Sequence, residues 1–422
     1  MTSTTAGASL VLRAVRVLDE AGGFTGPVDV AVTDGTVSAV GKDLAVRPSH
    51  RDVDAAGLWL MPGIVDCHAH PGLPSFDAFE LLRTPLSLRT LESAQALRRT
   101  LEAGVTLLRD AGGVDAGVRD AVSRGYVPGP HLQVSVLPLG PTGGHGDGFL
   151  AGPALDCTTD YTVPDYPGRP PFTVDGPEEM RKVVRLLLRS GADWIKLMAT
   201  AGVLASGDGM FTAELGAEEM AVAVAEATRR GKGVMVHALG GPAVRAAVEA
   251  GARSVEHAVF LTEQDAALMA ARGCTLVPTL AIYHELAAHA SAGELAGAAA
   301  ERMAQVAPKL GEAVAIARAA GVPVALGSDF GHRDRHGRNL AELYYLTKAG
   351  LTIEEALLAG TAEGAQLCGV AGKRGRIAPG HAFDAIVLDE DPGDLSCFLQ
   401  TGAVTAVFKD GVPMSPHPHL AG

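Results

Sequence analysis

The chain has 422 residues, 47% of them apolar, and a formal net charge of -13. That length allows one large domain plus a smaller one, and the negative balance disfavours nucleic acid and anionic membrane surfaces as partners. There is no apolar run long enough for a transmembrane helix, no leader-like start, and the five cysteines are scattered without a CxxC pair, so a cytoplasmic protein with reduced thiols is expected.

The first sixty residues read as β-structure. "LVLRAVRVLD" (10–19) and "VDVAVTDGTVSAVG" (28–41) alternate and are rich in Val, with Asp34-Gly35 as a two-residue hairpin turn. The last fifty read the same way, with Asp410-Gly411 between two short runs. A small β-sandwich built from residues 1–60 and 375–422 is therefore expected around a long middle.

The middle, residues 61–374, alternates short apolar runs with Ala/Glu/Arg-rich helical stretches. "VTLLRDAGG" precedes "GVRDAVSRG", "DWIKLMAT" precedes "AEEMAVAVAEATRRG", and "VMVHALG" precedes "GPAVRAAVEAG". "SVEHAVF", "TLVPTLA" and "VPVALGSDF" continue the series. This rhythm implies an α/β fold with a parallel sheet, and about eight units fit, so a (β/α)8 TIM barrel is expected. Residues 143–176, rich in Gly, Pro and Asp, form a long loop after the third strand. Such a loop opens at the catalytic mouth, so it is expected to set substrate choice. Asp147, Asp156, Asp160 and Asp165 give it an acidic character.

Ionisable residues recur where these strands end. His68 and His70 close the first, in "GIVDCHAHPG"; Lys196 lies in the fourth, His237 in the fifth, His257 in the sixth and Asp329 ends the eighth. Singly, each has an ordinary explanation: a hydrogen-bonded histidine, a snorkelling lysine, an aspartate capping a helix. Together, at the C-terminal ends of barrel strands, they converge on one mouth, where barrel active sites sit. Four imidazoles and a carboxylate suit a borderline divalent ion such as zinc. A lysine fits among cations only if deprotonated and modified. Carrying CO2 it becomes a carbamate, an anion with two oxygens.

These motifs resemble the amidohydrolase superfamily. "PGIVDCHAH", "VRLLLRSGADWIKLMATAG", "VMVHALG", "SVEHAVF" and "LGSDFG" carry the resemblance, and "GVTLLRDAGG", "GPTGGHGDGF" and "GRIAPGHAFDAIVLDEDP" extend it over nearly the whole chain. Within the superfamily the chain looks like the branch of metal-dependent dipeptidases and prolidase-like carboxypeptidases related to imidazolonepropionase. The resemblance implies a binuclear site with two divalent ions, zinc being expected. His68, His70 and Asp329 would bind one ion, and His237 and His257 the other. Lys196, carboxylated by CO2, would bridge them together with a hydroxide. Asp329 would double as general base, and His145, in "GGHGD", would reach the substrate. Tyr283 is a further candidate to contact the substrate, or equally a wall of its pocket. Many relatives read "HAHG" after the fifth strand, where this chain has Leu239 in "HALG".

The expected reaction is hydrolysis of a C–N bond in a small molecule, a dipeptide or N-acyl amino acid, by a homo-oligomer. A second reading keeps the fold and takes a cyclic amide, lactone, carbamate or amide-linked toxin such as ochratoxin. A third, a non-enzymatic relative, predicts lost ligands, yet all six are present.

Overall fold

A computed structural model of the chain describes residues 9–75, 77–147, 166–205 and 210–414. Asp156, Asp160 and Asp165 of the expected specificity loop lie outside these residues.

Five strands open the chain: β1 (Leu10–Val17), β2 (Val28–Thr33), β3 (Thr36–Gly41), β4 (Arg51–Asp54) and β5 (Trp59–Pro62). The expected β2–β3 hairpin is present. Asp34 and Gly35 both take positive φ, 49° and 74°, as a two-residue turn matched to strand twist requires. β1 pairs β2 along one side and changes partners along the other, its first half pairing β4 and its second half β5. The change falls at Ala14, whose φ is 54°.

Eight parallel strands follow: β6 (Ile64–Ala69), β7 (Val105–Asp110), β8 (His131–Val134), β9 (Pro138–Leu139), β10 (Trp194–Met198), β11 (Gly233–Gly240), β12 (Ser254–Phe260) and β13 (Thr275–Val277). They form two arcs, β6-β7-β8 and β9-β10-β11-β12-β13. β8 and β9 are two pieces of the expected third strand, parted near Val136, which has φ 71°. The expected eighth strand is irregular. Residues 323–330 bond to β13 (Ala325 N to Leu276 O, 2.9 Å) and to β6 (Cys67 N to Leu326 O, 2.8 Å; Asp329 N to His68 O, 2.7 Å) without forming a regular ladder. The segment packs closely: a Cβ on Gly327 would lie 2.4 Å from the Val277 side chain and 2.8 Å from His68, so the position requires glycine.

The chain then returns through β14 (Ala385–Leu388), β15 (Ala406–Lys409) and β16 (Val412–Pro413). β14 pairs antiparallel with β5, so both termini share one eight-stranded sheet, β16-β15-β14-β5-β1-β2-β3 with β4 beside β1.

Helices alternate with the parallel strands. The helix Glu263–Arg272 shows the local logic: the Thr262 side chain accepts from Asp265 N, Glu263 and Asp265 sit in the first turn, and Gly273 ends it at φ 63°. Ile64, Leu108, Ile195, Val236 and Val255 from the strands share one core with Leu97, Leu187 and Val244 from the helices. A separate core, with Leu12, Val30, Leu60, Phe383 and Phe408, holds the terminal sheet. No helix among the described residues is long and apolar enough to cross a membrane.

Candidate metal centre and active site

Strand register decides which side chains meet. Met198 lies opposite His237, and His237 opposite Glu256. Residues opposite one another in a parallel pair share a face, and so do residues two apart; Lys196, His237 and Glu256 therefore project the same way. His257 follows Glu256 and by simple alternation would turn outward. Instead its φ is 71° and that of Ala258 is 44°, and this unusual backbone keeps the imidazole inside. In β6 one extra residue between Asp66 and Ala69, relative to β7, makes a bulge at Cys67 and His68. Asp329 also has positive φ, 54°.

The result is one cavity of about 210 Å³ lined by His68, His70, His145, Lys196, His237, His257, Tyr283 and Asp329. The six expected metal ligands, His145 and Tyr283 all line it. Asp329 Oδ1 is 3.1 Å from His70 Nε2 and 3.4 Å from His68 Nε2, and Oδ2 is 4.0 Å from His257 Nδ1. The rings of His237 and His257 lie 4.6 Å apart, and those of His145 and His237 stack at 4.8 Å. Leu239 is fully buried and packs in one cluster with Val259, Tyr283 and Phe330 instead of lining the cavity.

A second layer, which the sequence reading did not identify, aims these groups. His68 Nδ1 is 2.6 Å from Glu256, which also takes two 3.1 Å bonds from Arg109. His70 Nδ1 is 2.8 Å from the Gly112 carbonyl, and His257 Nδ1 is 2.6 Å from the Thr279 hydroxyl. With Nδ1 occupied, Nε2 of His68 and His70 is left toward the cavity. Asp66 accepts from His68 N and Ser328 N (both 3.1 Å), the Ser328 hydroxyl (2.6 Å) and Asn339 (2.8 Å), tying β6 to the segment that carries Asp329. Gly202 N donates to His145 Nδ1 (3.3 Å), and Glu214 accepts from His145 N (2.8 Å). Glu342, fully buried, accepts from Leu280 N and Ala281 N and so caps the helix Leu280–Ser291 that bears Tyr283. The available signals were charges inside apolar strands: Asp66, Arg109 and Glu256.

Burial pushes the imidazoles of His68, His237 and His257 well below their ordinary range, and that of His145 to about 4. Burial opposes ionisation of Asp329, but His68 and His70 outweigh it and hold the carboxyl below its usual value. Burial draws the Lys196 amine down to about 8. Among the imidazoles His70 is the exception: burial lowers it, but its hydrogen bond to Asp329 and that carboxylate's charge outweigh burial and hold it above its ordinary value. Neutral imidazoles and an ionised carboxylate are the ligating forms, and these side chains are of the types that hold a divalent cation. Candidate ligand atoms of His68, His257 and Asp329 all lie within 4.8 Å of one another. A second acid–histidine group, His131, Asp384 and Asp410, holds Arg374 as its cation.

A parallel α/β scaffold ending in such a donor set places the protein among hydrolases that act on carbon–nitrogen bonds. The chain belongs to the amidohydrolase family, whose model matches residues 59–414. Ochratoxinase of Aspergillus niger is 34% identical over 364 residues, 83% of this chain and 75% of that protein. The crystal structure of A. niger ochratoxinase superposes with a TM-score of 0.85 at 29% identity, covering 98% of this chain and 96% of the other. A prolidase crystallised with N-methylphosphonate-L-proline superposes with a TM-score of 0.87 at 31% identity, covering 96% and 98%.

Proposed function

We propose that the protein is a binuclear metal-dependent amidohydrolase that cleaves the amide of a dipeptide or N-acyl amino acid. Lys196 carries the proposal. It is 1% exposed, among imidazoles, and its amine feels Glu256, Asp329 and Asp110 only through space. An ammonium there is an electrostatic misfit, and burial favours the neutral amine. The amine lone pair adds to CO2, a proton leaves, and the side chain becomes an anionic carbamate. In this reading His68, His70 and Asp329 would hold one zinc ion, His237 and His257 the other, and carboxylated Lys196 would supply an anionic ligand to the centre.

Bound ions supply a water acidified toward a pKa of ~7 and a polarised amide carbonyl. Asp329 takes a proton from the attacking water and delivers it to the leaving nitrogen, so that the C–N bond breaks to give a carboxylate and an amine. His145 has Nδ1 engaged by Gly202 N–H, which leaves Nε2–H to donate to the oxygen where charge develops. The buried Tyr283 hydroxyl lines the same cavity and is a second donor.

The same reading makes residues 61–374 one (β/α)8 barrel, with residues 323–330 joining the two arcs, and residues 1–60 and 375–422 a separate β domain. The protein would act in the cytoplasm as a homo-oligomer. A second reading, hydrolysis of an amide-linked toxin such as ochratoxin, is favoured by the identity with ochratoxinase. Screening metal-loaded protein against dipeptides, N-acyl amino acids and ochratoxin, with elemental analysis, tests both. One tightly bound ion with full activity would remove the binuclear centre; cleavage of the toxin alone would favour the second reading.

A further inference from the structure

The floor of the cavity is polar, but its walls are not. Apart from the proposed metal ligands, His145 and Tyr283, no described lining residue carries a charged or hydrogen-bonding side chain. Leu73, Met198, Val203, Leu204, Ile282 and Leu286 are the large apolar side chains of that lining. Ile282 and Leu286 stand four apart on the helix Leu280–Ser291 and so share a face. They pack with Val203 in one buried cluster, and the Glu342 cap fixes the first turn of their helix. Leu204 is 42% exposed yet lines the cavity. Arg302 turns its Nη2 to the Ala205 carbonyl (2.6 Å) and does not line it.

We infer that this wall selects the substrate, taking amides whose side chain is aliphatic or aromatic and rejecting those that carry Lys, Arg, Asp or Glu. An apolar group gains by leaving water against such a wall, whereas a charged one loses hydration and meets no partner among the described wall residues. The inference names the substrate class of the hydrolase proposed above, but the selection is a property of binding and is measurable without turnover.

The experiment uses metal-loaded protein and matched derivatives of Leu, Phe, Arg and Glu in two series: N-acyl amino acids for kcat/KM, and N-phosphonyl amino acids for calorimetric Kd. Burial of one Leu- or Phe-sized group implies a preference of roughly 10–100-fold over Arg and Glu in both series. Leu204→Glu and Ile282→Glu are each expected to narrow the Leu-to-Arg ratio about 10-fold at unchanged metal content. Leu204 is the safer site because it is partly exposed. Equal binding of the charged derivatives, no binding of any, or an unchanged ratio in both variants overturns the inference. Selective binding of the apolar phosphonyl compounds without cleavage of any amide upholds it and overturns the hydrolase reading instead.

Discussion

Glu256 serves two masters, and one substitution with its compensating partner separates them. Its carboxylate fixes His68 through a 2.6 Å contact and neutralises Arg109 through two bonds of 3.1 Å, with all three side chains essentially removed from solvent. In Glu256→Gln the guanidinium keeps the Cys67 carbonyl, the Ser254 hydroxyl and the face of Trp194 at 4.6 Å, but loses its counter-charge. Breaking a buried pair in this way costs about 3–5 kcal/mol. At about 2.1 cal/mol/K per residue, 422 residues give an unfolding entropy near 0.9 kcal/mol/K, so Tm should fall by about 3–6 °C. Loss of the charge behind His68 should separately weaken metal binding by about 10–100-fold. The double variant Arg109→Met/Glu256→Gln removes the stranded cation. It should recover most of the lost Tm in metal-free protein while metal affinity stays low. Calorimetric unfolding of the metal-free proteins and a competitive zinc titration read the two effects independently. Recovery of affinity along with stability in the double variant would refute the assignment of Glu256 as the group that aims His68.

Four further outcomes are expected. Lys196→Ala should lose bound metal and activity, with partial return of both on adding short carboxylic acids; elemental analysis showing two ions in the unsupplemented variant would remove the carbamate. Asp329→Asn should keep its fold and lose turnover by ~10²–10⁴-fold; circular dichroism and kcat check this, and a variant within a few-fold of wild type would end its role as base. Gly202→Ala would set a Cβ 2.6 Å from His145 Cε1, so kcat should drop by ~10²-fold with metal content unchanged; an unaltered kcat would take His145 out of the reaction. Glu226 is held at about 2, chiefly by Arg185 with Arg181 and Arg229 beside it. Its pKa is lower folded than unfolded, so its contribution is present above about 4.5 and is lost as pH falls toward 2. Because the arginines are partly exposed, Glu226→Gln should cost only about 1–2 kcal/mol at pH 7, and urea midpoints should show the gap to wild type shrinking by pH 3.

The sequence made the scaffold legible because periodicity and turn chemistry act locally. The βα alternation, the Asp34-Gly35 turn and the C-terminal strand around Asp410-Gly411 all follow from residues close in the chain. The cavity residues were legible because strand ends in a parallel fold converge whatever the loops do. The backbone that delivers them was not. His257, Asp329 and Val136 take positive φ with ordinary side chains, and nothing in their own chemistry asks for it; tertiary contacts impose it. The segment 323–330 reads as a strand by composition, yet its bonds to β13 and β6 are irregular, which its own residues do not announce. The second layer was hidden for a related reason: Glu256, Arg109 and Asp66 find their partners far away in sequence, and one sequence does not reveal such pairings.

Those buried charges explain how the protein divides stability from function. Interior charges in a fold normally weaken it unless each is matched. Asp66 is matched by four donors, Arg109 and Glu256 by each other, and Glu342 by two backbone N–H groups. Lys196 is the member left with through-space attraction alone. An ammonium kept there without a contact partner costs stability, and burial draws the amine toward its neutral form. The apolar shell between strands and helices and the separate core of the terminal sheet supply the burial that offsets the cost. The interior charges cluster where the cavity side chains are aimed, held in networks whose geometry, more than their net energy, is their contribution.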